Sequence, residues 1–124
     1  GTILLAEDED AIRRLTTQTL RECGYNVLQA SDGQHALRLA EDHAGPINLL
    51  ITDVVMPEVG GLGVLQHIRG SSRHRVPIIG MSGTPWLMHG ADFDMVLAKP
   101  FPLQKLVDSV RNLAAAFNVS EAAA

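Results

Sequence analysis

Five short apolar runs, all but the fourth followed by a stretch of clear helical period, restrict this chain to very few folds. The runs are Ile3 to Ala6, Val27 to Ala30, Ile47 to Thr52, Val76 to Ser82 and Met95 to Ala98. They do not alternate cleanly between apolar and polar, as expected for strands buried on both faces of a parallel sheet. Ile12, Leu15, Leu20 and Cys23 mark one face of a first helix, stopped by Gly24. Ala36, Leu37 and Ala40 mark a second, with Ser31 or Asp32 as its cap. Val64, Leu65 and Ile68 mark a third after Gly60 and Gly61, and Leu103, Leu106, Val107, Val110, Leu113 and Phe117 mark the last. From Thr84 to Asp94 the helical signal is poor, since Pro85, Gly90 and two Asp residues leave room for a turn or two. The fourth helix should therefore be short or distorted. Such alternation predicts an α/β fold with a parallel sheet, right-handed crossovers and helices on both faces.

The 124 residues suit one domain, expected over 1–119, with 120–124 as a tail or linker. No apolar run approaches the roughly 20 residues that span a bilayer, and no basic start precedes an apolar stretch. The single Cys23 excludes an internal disulfide and suits a reducing cytoplasm. A net charge of −4 argues against direct nucleic-acid binding. The histidines at 35, 43, 67, 74 and 89 lack paired ligand spacing and read as surface groups. Cys23 reads as a small buried apolar residue. Trp86 reads as a lid on the core where the fourth helix is weak, with an exposed partner contact as the alternative.

In an open parallel sheet, ligands bind beyond the carboxyl ends of the strands. Glu7 and Asp8 end the first run, Asp53 the third, Ser82 the fourth and Lys99 the fifth. Three carboxylates brought together repel one another and need positive charge to stay ionised. Lys99 supplies one charge, and a hard divalent cation such as Mg²⁺ would supply two more. A carboxylate can also attack phosphorus to form an acyl phosphate, with the cations neutralising the phosphoryl oxygens. A hydroxyl such as that of Ser82 could hydrogen-bond one of those oxygens.

The stretches Ile3 to Glu9, Asp53-Val54-Val55-Met56-Pro57 followed by Gly61, Met81-Ser82-Gly83 and Lys99-Pro100-Phe101 resemble the receiver domains of two-component response regulators. The resemblance covers nearly the whole chain. It implies a flavodoxin-like three-layer sandwich with strand order 2-1-3-4-5. It also implies a phosphoacceptor at Asp53, a hydroxyl switch residue at Ser82 and the family lysine at Lys99. The implied Mg²⁺ ligands are Asp8, Asp53 and the backbone carbonyl of Val55, with Glu7 acting through water. A cis peptide is implied between Lys99 and Pro100. The implied partner is a sensor histidine kinase or its phosphotransfer domain. The first residues and the stretch from Gly45 to Asp53 resemble receivers at the C-terminal end of hybrid sensor histidine kinases.

Two departures stand out. Val96 occupies the position, three before the lysine, where receivers usually carry an aromatic switch residue, and the segment between Ser82 and Lys99 is short. Taken singly, each site residue has a plain structural reading, and for Glu9 and Asp10 a solvated first helical turn suffices. A haloacid dehalogenase-type phosphatase wants a second Asp where Val55 stands. A flavodoxin-like cofactor binder would face a phosphate with the acids of residues 7 to 10. A degenerate receiver acting only as an interaction module is the remaining alternative, although all five site positions are filled.

Overall fold

The computed structural model describes residues 1–56, 59–88 and 90–116. The strands are β1 (Thr2–Ala6), β2 (Asn26–Ala30), β3 (Leu49–Asp53), β4 (Ile78–Ser82) and β5 (Met95–Ala98). The helices are α1 (Asp10–Glu22), α2 (Gly33–Asp42), α3 (Gly61–Arg69) and α4 (Leu103–Ala116). Where a helix between β4 and β5 was expected to be short, the chain forms a single 3₁₀ turn, Pro85–Met88. The expected tail, Phe117, Pro57 and His89 lie outside the described residues.

All strand pairs are parallel, in the order β2-β1-β3-β4-β5. This is the flavodoxin-like order that the resemblance implied. The three central strands are buried along their whole length, while the edge strands β2 and β5 are only partly so. The sheet divides the core into two layers. Ile3, Leu5, Ile51, Ile79 and Met81 pack against Leu20 of α1 and Leu106, Val110 and Leu113 of α4. Leu4, Leu50 and Ile78 pack on the opposite face against Ala36 of α2 and Val64 and Ile68 of α3. Each fully buried Leu or Ile contributes about 1.5–3 kcal/mol of transfer free energy, so the two layers supply the main driving force. Asp32, rather than Ser31, caps α2, its carboxylate accepting from His35 N at 2.7 Å.

Four expectations need correction. In α1 the buried face is Thr16, Thr17 and Leu20, whereas Ile12 and Leu15 are 40% and 56% exposed. Burial of the threonines rotates the packed face away from the apolar stripe read in the sequence. Cys23 is half-buried at the end of α1, on the rim of the core, with Arg111 Nη2 at 3.8 Å from its sulfur. Trp86 is 70% exposed and does not form the expected lid. Phe93 is the aromatic that packs on the sheet there. Its ring lies so close to Gly80 of β4 that a Cβ on that glycine would sit 3.0 Å from it. The missing side chain lets the ring lie on the strand itself, which fills the space an additional helix would take. Of the described histidines, His67 and His74 are exposed, whereas His35 and His43 are half-buried.

Candidate functional site

The hydrogen-bond ladder of the sheet runs past the strand ends and carries the site residues with it. Glu7 N donates to Ala30 O at 3.0 Å, Val54 N to Met81 O at 2.9 Å, and Lys99 N to Ser82 O at 2.8 Å. The last residues of β1, β3, β4 and β5 are thereby set at one edge. The peptide between Lys99 and Pro100 is cis, as the resemblance implied.

Asp53 and Glu7 are buried there, and Asp8 is exposed. One carboxylate oxygen from each of the three lies within 4.8 Å of the others. Lys99 Nζ donates to Asp53 Oδ2 at 2.9 Å and to Glu7 Oε1 at 3.4 Å, tying two acids to one ammonium. Glu7 Oε2 also accepts from Glu9 N at 3.2 Å. Burial pushes the Glu7 carboxyl up to about 7, with the Asp53 charge adding to the rise and the Glu9 amide and Lys99 opposing it. Burial alone would pull the Lys99 ammonium down. Its hydrogen bond to Asp53 and the charges of both acids outweigh that and hold it above the usual lysine value. One ammonium against three carboxylates leaves negative charge at the edge. An all-oxygen donor set of this kind fits a hard divalent cation such as Mg²⁺.

Ser82 is buried at the end of β4, and its Oγ accepts from Thr84 N at 3.0 Å, with the Thr84 hydroxyl at 3.4 Å. Val55 sits two residues beyond Asp53 with an exposed side chain. Glu9 and Asp10 are exposed, as a solvated first turn requires. Sequence reasoning passed over Arg13, whose Nη1 donates to the Glu7 carbonyl at 2.9 Å and whose Nη2 pairs with Asp10 at 2.6 Å. The i,i+3 spacing of Asp10 and Arg13 was the available signal. Beside Lys99, a groove of about 320 Å³ is lined by Ile12, Leu15, Phe101 and Leu103 among others.

Residues 3–111 match the profile of the response regulator receiver domain. The chain belongs to this family. The receiver domain of the hybrid histidine kinase CckA is 39% identical, superposes with a TM-score of 0.77, and is covered over 97% of its length by 90% of this chain. The sensor kinase CckA of Brucella abortus is 35% identical over 91% of this receiver, which spans 12% of that kinase. The response regulator TrrA of Thermotoga maritima, solved in complex with Mg²⁺ and BeF, is 30% identical, with a TM-score of 0.78 over 90% of this receiver and 97% of that chain. This receiver spans 11% to 55% of the length of such curated relatives. Among the described residues, no helix is long and apolar enough to cross a membrane.

Proposed function

We propose that Asp53 takes a phosphoryl group from a phosphohistidine donor in two-component signalling. The observation that carries this reading is the buried Asp53 carboxylate, held at 2.9 Å by Lys99 Nζ within a three-carboxylate cluster. An Asp53 carboxylate oxygen attacks phosphorus as the donor P–N bond breaks, giving an acyl phosphate, and the leaving imidazole takes a proton. Lys99 neutralises charge on the phosphoryl oxygens, and the Ser82 hydroxyl donates to one of them. Asp8, Asp53 and the Val55 carbonyl would hold Mg²⁺, with Glu7 acting through water. The ion supplies further neutralisation of the transferring group. Hydrolysis of the acyl phosphate at the same site resets the domain. On this reading the partner is a sensor histidine kinase or its phosphotransfer domain in the cytoplasm. Likeness to the CckA receivers favours a hybrid kinase as the parent protein.

Incubation with acetyl phosphate and Mg²⁺, followed by intact-mass measurement, tests the reading. One phosphoryl group should add, and Asp53→Asn should add none while keeping its fold. Labelling of that variant would refute the assignment. An unlabelled wild type would leave the interaction-only reading in its place.

A further inference from the structure

The β3–α3 loop, which carries Val55, is pinned at its neck by Gly61 N donating to Val54 O at 2.9 Å. On the strand side, Gly60 and Gly61 press against backbone. A Cβ at Gly60 would lie 2.8 Å from Val54 O, and one at Gly61 would lie 2.5 Å from Asp53 O. On the other side the loop meets α2. A Cβ on Gly33 would lie 1.9 Å from the Val59 carbonyl oxygen and 2.8 Å from its carbon. The obstacle is backbone, so no rotamer change could relieve it.

Gly33 is the first residue of α2 and has no left-handed φ. Conformational freedom therefore does not explain the glycine. Helix propensity argues against it, since glycine is among the poorest helix formers. Space is what the position requires. We infer that Gly33 is a positioning residue for the phosphoacceptor site: its bare Cα lets α2 seat against Val59 and thereby sets the loop on which Val55 presents its carbonyl.

This rests on the proposed role of the Val55 carbonyl as a metal ligand. A methyl at residue 33 must displace Val59, and Gly60 and Gly61, which follow it and abut the Val54 carbonyl, pass that displacement to the peptide bond that joins Val54 to Val55. Asp53 ends β3 and Lys99 directly follows β5, both outside the loop, so their mutual geometry should hold. The defect should therefore lie in metal affinity and not in the phosphorylation step itself.

Gly33→Ala is compared with Gln34→Ala, an exposed neighbour in the same turn, and with the wild type. Mg²⁺ affinity is measured by calorimetry, and acetyl phosphate labelling is followed across a Mg²⁺ series. Gly33→Ala should weaken Mg²⁺ binding roughly tenfold, the scale seen when groups that orient metal ligands are altered. Its labelling rate should recover at saturating Mg²⁺, and Gln34→Ala should match the wild type. A general loss of structure would not recover in that way. Unchanged Mg²⁺ affinity in Gly33→Ala, or a rate that saturating Mg²⁺ does not restore, would overturn the inference. Should Gly33→Ala not fold, amide resonances of the wild type decide. Those of Gly33 and Val59 should shift with Mg²⁺ along one binding curve, and a silent Gly33 counts against the inference. A wild type that binds no Mg²⁺ would overturn the proposed function together with this inference. A wild type that binds it alongside an unaffected Gly33→Ala would overturn the inference alone.

Discussion

Glu7 and Asp8 are adjacent acids in different situations. The Glu7 side chain is wholly buried, and its two oxygens are engaged by Lys99 Nζ and Glu9 N. Asp8 is exposed yet contributes an oxygen to the same cluster. A carboxylate with both oxygens already engaged has less to gain from direct ligation than one facing water. Asp8→Ala should therefore lose more Mg²⁺ affinity than Glu7→Gln in a calorimetric titration. Equal losses would show that both acids ligate directly. Arg13 is the supporting residue at this scale. Its guanidinium joins the Glu7 carbonyl to Asp10 and so fixes the start of α1 beside the acids.

At the scale of elements, the weak link is the segment between β4 and β5. Its far end is anchored. Arg69 at the end of α3 donates to the carbonyls of Val76 and Asp92 and pairs with the Asp94 carboxylate at 2.9 Å. That carboxylate also accepts from Ile78 N at 2.7 Å. At the near end Thr84 N donates to Ser82 Oγ at 3.0 Å, with the Thr84 hydroxyl at 3.4 Å. A phosphoryl group that recruits the Ser82 hydroxyl would compete for this bond. Val96, short and β-branched, has little rotamer range with which to follow. Phosphorylation should instead shift the segment as a whole, as a change of population. Amide exchange with and without beryllofluoride should differ most between Gly83 and Ala91 and least at 92–94. A response centred on α1 would exclude this route. The other long-range fastening is Arg73, which donates to the carbonyls of Ala40 at 3.1 Å, His43 at 2.8 Å and Gly45 at 3.3 Å. It satisfies the end of α2 from a different loop. Arg73→Ala should cost about 2 kcal/mol, read as a lower urea midpoint at unchanged slope.

For the whole molecule, the acidic edge opposes folding as pH rises. Glu7 titrates near 4.5 when free and at about 7 in the fold. The folded chain therefore binds more protons than the unfolded chain between those values, and stability declines as pH rises through that window. The ceiling on this loss is on the order of 3 kcal/mol, complete above about pH 7. In chelator-treated protein, melting temperature should fall more between pH 5 and pH 8 for the wild type than for Glu7→Gln, which carries no charge. Adding Mg²⁺ at pH 8 should return the difference, since a cation favours the ionised acids. Parallel pH profiles for the two proteins would contradict the role given to Glu7.

Local pattern was sufficient for a parallel α/β sheet, while its strand order came only with the resemblance. Apolar runs of five or so residues alternating with helical stretches admit a parallel sheet covered on both faces, and the polar residues ending those runs must then meet at one edge. Glu7, Asp8, Asp53, Ser82 and Lys99 were legible for that reason, as was the stunted segment after β4, whereas the cap of α2 stayed open between Ser31 and Asp32. Other features depended on partners distant in sequence. The buried face of α1 was settled by packing, a choice periodicity cannot make between Leu15 and Thr16. Phe93, and not Trp86, covers β4 because Gly80 lies opposite it in space. Lys99 reaches Asp53 across 46 positions and Glu7 across 92, and whether one ammonium serves both acids is a matter of ångströms. Nothing in the sequence singles out Gly33, and only the close approach of the Val59 carbonyl reveals what it makes room for. Periodicity is written along the chain, whereas distances between elements arise when two core layers close on the sheet.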